Sequence, residues 1–149
     1  MQKAKSKKTA LAIMRLQPLH EGHQILINEM FSQCDEVIIA IGSINSLDKA
    51  RNPYSYEERK EMLLSLYSQR VNLRIIGLED IGANSHNEWV DYVKATLLDC
   101  KLSNVTDYFS GSNEDALWYQ KSGWKITIID RMTIGKGINA TMIRNQQKL

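Results

Sequence analysis

The segment Glu36-Val37-Ile38-Ile39-Ala40-Ile41-Gly42-Ser43 restricts the fold more than any other. A strand with one wet face alternates apolar and polar residues. This run does not alternate, and a continuous β-branched run of that length reads as a strand covered on both faces. Such a strand needs helices above and below it, and the chain supplies them at regular intervals. Ala10–Met14 reads as a first strand, and Gly22 to Gln33 as a helix with Ile25, Leu26 and Met30 at helical spacing.

The alternation continues to the far end. Asn45–Asn52 is a polar loop. Ser55-Tyr56-Glu57-Glu58 is a capping box, with Ser at the N-cap and Glu three later, opening a helix to about Gln69. Asn72–Leu78 predicts a third strand and Asp80–Asn87 a polar loop. Glu88–Asp99 predicts a helix that turns Val90, Val93 and Leu97 inward. Asp107–Ser110, Asn113–Lys121 and Lys125–Asp130 predict a strand, a short helix and a fifth strand. Thr133–Gly137 reads as loop, and Asn139 as the N-cap of a last helix, Ala140–Gln147. Strand–helix alternation predicts an α/β fold, about five parallel strands with helices on both faces. In such sheets ligands bind outside the carboxyl ends of the strands, where the strand order switches.

Composition sets the bounds. At 149 residues, 43% hydrophobic and 24% charged, the chain suits one soluble domain. A net charge of +2 gives no global argument for nucleic acid. The basic start, residues 1–9, reads as a solvated tail, leaving residues 10–149 as the domain. No apolar run approaches the roughly 18 residues of a membrane span. Cys34 and Cys100 make no disulfide framework and read as buried thiols in a reducing compartment. A cytoplasmic protein with no nucleic-acid or membrane partner is expected.

The chemistry concentrates where the first strand ends. Arg15-Leu16-Gln17-Pro18-Leu19-His20-Glu21-Gly22-His23 places a guanidinium and two imidazoles between strand and helix. Exposed amides at a helix start attract anions, Gly22 permits close backbone approach, and Arg15 can grip a phosphate bidentately. Two surface histidines are the plainer reading. Zinc is a poor one, because His86 is the only other histidine and Cys34 lies beyond a full helix. At the far end, Ile138-Asn139-Ala140-Thr141-Met142-Ile143-Arg144 offers a second helix start, with Thr141 and Arg144 on one face.

These two segments, in this order, resemble the paired signature of the HIGH-type nucleotidyltransferase superfamily, with Asn139 in place of Ser. The inner motifs resemble its archaeal-type nicotinamide-nucleotide adenylyltransferases. They are Arg15 to His23, then Ile41-Gly42-Ser43, Asn52-Pro53-Tyr54-Ser55-Tyr56-Glu57-Glu58-Arg59, Glu79-Asp80-Ile81 through Asn84 to Trp89, and Phe109-Ser110-Gly111-Ser112-Asn113. The resemblance covers about residues 10 to 147 and implies a single Rossmann-like domain.

It also implies a reaction: AMP passes from ATP to nicotinamide mononucleotide (NMN), giving NAD and pyrophosphate. His20, His23 and Arg144 would be the catalytic residues, stabilising phosphate charge. Arg15, Gln17, Gly22, Ser43, Gly111 and Thr141 would bind ATP or its phosphates. Arg59, Asn84 and Trp89 would bind NMN, with Trp89 stacking on the nicotinamide ring and Asn84 on its carboxamide; core packing is the other reading of Trp89. Mg²⁺ would bridge the ATP phosphates, with no protein metal site, and a homo-oligomer is expected. Met14 departs from the family pattern, which has Gly there. The alternatives are transfer to another phosphorylated acceptor on the same fold, and a non-catalytic nucleotide-binding sensor.

Overall fold

A computed structural model describes residues 6–129. Nine elements follow in the order β1 (Thr9–Met14), α1 (Glu21–Gln33), β2 (Glu36–Ile41), α2 (Tyr56–Tyr67), β3 (Leu73–Gly77), α3 (His86–Asp99), β4 (Asp107–Ser110), α4 (Asn113–Leu117) and β5 (Lys125–Ile128). Every strand pairing is parallel, in the spatial order β3-β2-β1-β4-β5. β1 and β2 pair along their full length, from Thr9↔Glu36 to Met14↔Ile41.

The uniform apolar run of β2 has its explanation in two cores. Val37, Ile39 and Ile41 belong to one, with Leu26, Ile27 and Met30 of α1 and Leu63 and Tyr67 of α2. Ile38 and Ala40 belong to the other, with Val90, Val93 and Leu97 of α3. Both faces of β2 are dry, so neither residue parity can be polar.

Several boundaries differ from the sequence expectation, and three of the differences have a visible cause. The basic tail is shorter: Thr9 is buried within β1, and the Lys8 carbonyl accepts the N–H groups of Asp35 and Glu36. α3 starts earlier, at His86, because the Ser85 hydroxyl caps it by accepting the Glu88 N–H. α4 stops at Leu117, with turns in place of its last turn. Cys34 is buried as expected, but Cys100 is exposed, because it sits where the chain turns out of α3. The last predicted helix, with Thr141 and Arg144, lies outside the described residues. Among the described residues no helix is long and apolar enough to cross a membrane.

Because β1 lies between β2 and β4, the strand order switches beside it, and α1 and α4 leave from neighbouring strands toward opposite sides. That crevice, at the carboxyl ends of β1 and β4, is where the topology puts a ligand.

Candidate active site

Two strands leave the sheet into the site through left-handed residues. Leu16 after β1 has φ 54° and Ser43 after β2 has φ 55°. A side chain in this conformation costs about 1 kcal/mol or more, and such strain collects at functional sites. Leu16 is fully buried, so packing holds it there.

The histidines occupy the start of α1. His20 is the N-cap, and its Nδ1 accepts the Gly22 N–H at 3.0 Å. His23, the third helical residue, returns the contact: its Nδ1 accepts the His20 N–H at 3.2 Å. This is a capping box built from imidazoles, closing two amides that a helix start leaves open. The rings are 3.9 Å apart and tilted by 33°. A neutral imidazole that accepts at Nδ1 carries its proton on Nε2. Both rings are therefore set as Nε2–H donors at a helix N-terminus, an arrangement suited to phosphate oxygens. The Gly22 N–H is taken up by the cap.

Below the histidines, the segment 15–17 is fastened to the segment 51–59. Arg15 donates from Nε and Nη2 to Asn52 Oδ1 (3.2 and 2.7 Å) and from Nη2 to the Arg51 carbonyl. The Gln17 amide pairs both ways with the Tyr54 backbone, at 3.0 and 2.9 Å. Arg59 is 1% exposed. Its Nη1 donates to the carbonyls of Arg15 (2.9 Å) and Gly42 (2.7 Å), and its Nε to Ser55 (3.1 Å). Burial, with the Arg15 charge second, holds its guanidinium below the ordinary arginine range. Gln17 and Arg59 bind backbone and tie the ends of β1 and β2 to α2, and sit beneath the site as its frame. Of Arg15, Gln17 and Arg59, Arg15 alone is partly exposed.

Ser43 Oγ donates to Asp80 Oδ1 at 2.9 Å, and the Asn45 side chain brackets the Asp80 backbone from both sides. The loops after β2 and β3 are thereby laced together. Met14 is 6% exposed and belongs to the core that contains α1, so its side chain occupies core volume.

On the α3 side of the sheet, at the same end of β1, an open pocket of about 290 Å³ is lined by Ile13, Asp80, Trp89, Asp115, Trp118 and Tyr119, with Ile81 to Ala83 at its rim. Gly82 turns that rim with φ +63°. Trp89 packs on the α3 core and lines this pocket. Its Nε1 donates to Tyr119 Oη at 2.9 Å. Asn84 is not brought to this pocket. It is exposed, its N–H goes to Glu88, and it lines an outer groove with His86 and Trp118. The early start of α3 places it just before the cap.

Sequence reading missed the polar wall behind the pocket. Tyr108 Oη and Ser110 Oγ both donate to Asp115 Oδ2, at 2.9 and 2.7 Å. Tyr119 stacks on Tyr108 at 3.9 Å, and burial pushes its hydroxyl up to about 12. Ser112-Asn113-Glu114-Asp115, with Ser at the cap, was the one signal for Asp115. Tyr119 left none. Gly111 follows β4, between Ser110 and that cap.

Among the described residues no group of three or more His, Cys, Asp or Glu could hold a metal ion.

Comparison with known proteins gives three findings. The cytidylyltransferase-like family model matches residues 15–146. A nicotinamide-nucleotide adenylyltransferase of Pyrococcus furiosus is 32% identical over 144 residues, covering 93% of this chain and 72% of its own. The crystal structure of a bifunctional NMN adenylyltransferase/ADP ribose pyrophosphatase from Francisella tularensis, complexed with AMP and manganese, superposes with a TM-score of 0.76 at 25% identity. That superposition covers 95% of this chain, which spans 41% of the bifunctional protein's length.

Proposed function

Because the chain belongs to the cytidylyltransferase-like family, and within it to the nicotinamide-nucleotide adenylyltransferases, we infer that it transfers AMP from ATP to NMN. The products are NAD and pyrophosphate. The observation that carries the reading is the reciprocally capped pair, His20 and His23, set as Nε2–H donors at the start of α1.

In this reaction an oxygen of the NMN 5′-phosphate attacks the α-phosphorus of ATP. A new P–O bond forms, the bond to the bridging oxygen breaks, and pyrophosphate leaves with that electron pair. The nucleophile is already ionised, so the site needs position and charge rather than a base. His20 and His23 hold phosphate oxygens and meet the charge that grows on the leaving group. Arg15, fixed by Asn52 and the Arg51 carbonyl, adds a cation at the mouth of β1. Gln17 and Arg59 keep that loop in register from below. Ser43 and Gly111 contribute their backbone at the ends of β2 and β4. Thr141 and Arg144, outside the described residues, complete the phosphate site in this proposal.

The pocket beside Ile13 takes the pyridine ring against Trp89. Its flat aromatic wall and its carboxylates Asp80 and Asp115 suit a ring that carries positive charge in NMN. Mg²⁺ fits the donor set as an ion held by the substrate phosphates, since the described residues offer no cage for one. When bound, it neutralises phosphate charge. The manganese and AMP in the Francisella structure support a divalent ion. Assembly as a homo-oligomer is part of the same proposal.

The test is a panel of acceptors, each incubated with ATP and Mg²⁺ and read by pyrophosphate release. NMN should be the best acceptor. Release with phosphopantetheine or FMN and none with NMN would move the chain to another acceptor. Nucleotide binding with no release from any acceptor would make it a sensor.

A further inference from the structure

The ring pocket is closed by two residues in succession, Trp118 and Tyr119, and both are fastened to the start of α3. Tyr119 is gripped from several sides: Trp89 Nε1 donates to its hydroxyl at 2.9 Å, Tyr108 stacks on it at 3.9 Å, and it is 2% exposed. Trp118 is 37% exposed and faces both ways, lining the ring pocket inside and the outer groove outside. Among the described residues, the ring packed against it is His86, with centroids 4.1 Å apart and the planes tilted by 37°.

His86 is the first residue of α3, and Trp89 lies one turn along, on the same face. One helix turn thus makes two contacts with one dipeptide. Trp89 to Tyr119 is the inner contact, buried and hydrogen-bonded. His86 to Trp118 is the outer one, at the side of the pocket that meets the outer groove.

We propose that His86 is a positioning residue for the pyridine nucleotide: by packing its ring against Trp118 from the outer groove, it holds that indole in the pocket lining it shares with Trp89, and so shapes the slot the ring enters. This rests on the NMN reading above. His86 touches no substrate in this account. Its effect passes through Trp118, and it concerns one substrate only, because Trp118 lines the ring pocket and His86 the outer groove, while His20 and His23 sit at the start of α1.

The test compares wild type with His86→Ala, His86→Phe and Trp118→Ala, using the full chain. Steady-state KM for NMN and for ATP, and tryptophan fluorescence titrated with NMN alone, are the readouts. An aromatic contact of this kind is worth about 0.5–1.5 kcal/mol, so His86→Ala should raise the KM for NMN about five-fold. The KM for ATP and kcat should stay within about two-fold on the same reasoning. His86→Phe, which keeps a flat ring, should restore the wild-type KM, and Trp118→Ala should be at least as poor as His86→Ala. An unchanged KM for NMN in His86→Ala overturns the inference, as does a parallel rise for ATP. Failure of His86→Phe to rescue does the same. Wild type that makes NAD normally in those cases keeps the functional reading. Wild type that makes no NAD ends both.

Discussion

His23 caps the residue that caps its own helix: His23 Nδ1 accepts the His20 N–H at 3.2 Å, while His20 Nδ1 accepts the Gly22 N–H at 3.0 Å. Each imidazole therefore has a folding role at one nitrogen and a chemical role at the other. The same hydrogen bonds that close the helix start decide the tautomer offered to a phosphate.

His23→Ala should reveal both roles. Loss of a preorganised donor costs about 3 kcal/mol in the transition state, a drop in kcat of at least about 100-fold. Loss of half the capping box should also lower stability by about 1 kcal/mol. Turnover and urea denaturation on one preparation check this. Near-normal turnover in a destabilised variant would leave His23 with the structural role alone.

Arg59→Lys should be poorly tolerated although charge is kept. One ammonium cannot reach the carbonyls of Arg15, Gly42 and Ser55 together, as the planar guanidinium does. Hydrogen bonds to a charged group are worth about 1.5–3 kcal/mol each, so a loss of about 3 kcal/mol is expected. The urea midpoint measures it. A midpoint equal to wild type would show that Arg59 is not the frame of the site.

Several features of the fold were legible in the residues, and others had no local signature. β2 was legible because a strand dry on both faces must be apolar at every position. The start of α2 was legible because Ser55 and Glu58 form a capping box of ordinary chemistry. His20 as an N-cap was not, since imidazole is an uncommon cap and only the fold turns its Nδ1 inward. Arg59 read as an NMN ligand through the family resemblance alone; its burial follows from three carbonyls that converge only when β1, β2 and α2 meet. Asn84 and Trp89 read as one site; with Ser85 as the cap, Trp89 lies in the first turns of α3 and lines the ring pocket, while Asn84 stays before the cap and lines the outer groove. Tyr119 joins Trp89 across 30 residues, a relation no local spacing encodes.

The two thiols should behave differently. Burial, with Asp107 second, pushes the Cys34 thiol up to about 11, and Cys34 is 8% exposed. Cys100 is exposed. An aromatic disulfide reagent at neutral pH should titrate one thiol in the native protein and two in denaturant. Two fast thiols in the native state would contradict the packing of α1 on β2.

Tyr119→Phe should flatten the alkaline loss of stability. Its hydroxyl is raised from 10 to about 12. Between those values the unfolded chain loses the proton and the folded chain keeps it. The stabilisation is full below pH 10 and is lost as pH rises toward about 12, by up to about 1.4 kcal/mol per pH unit. Denaturation on either side of that window should show a steeper decline in wild type. Equal declines would place the hydroxyl in solvent.

Phosphorus NMR follows the transfer of AMP itself. ATP, NMN and Mg²⁺ are mixed with the protein and observed by ³¹P NMR. The account predicts that the NMN monophosphate signal falls while the diphosphate bridge of NAD and free pyrophosphate rise in equal amounts, and that His23→Ala slows all three together. ATP and NMN signals that persist unchanged with active-concentration protein, or pyrophosphate that appears without the diphosphate bridge, would contradict it.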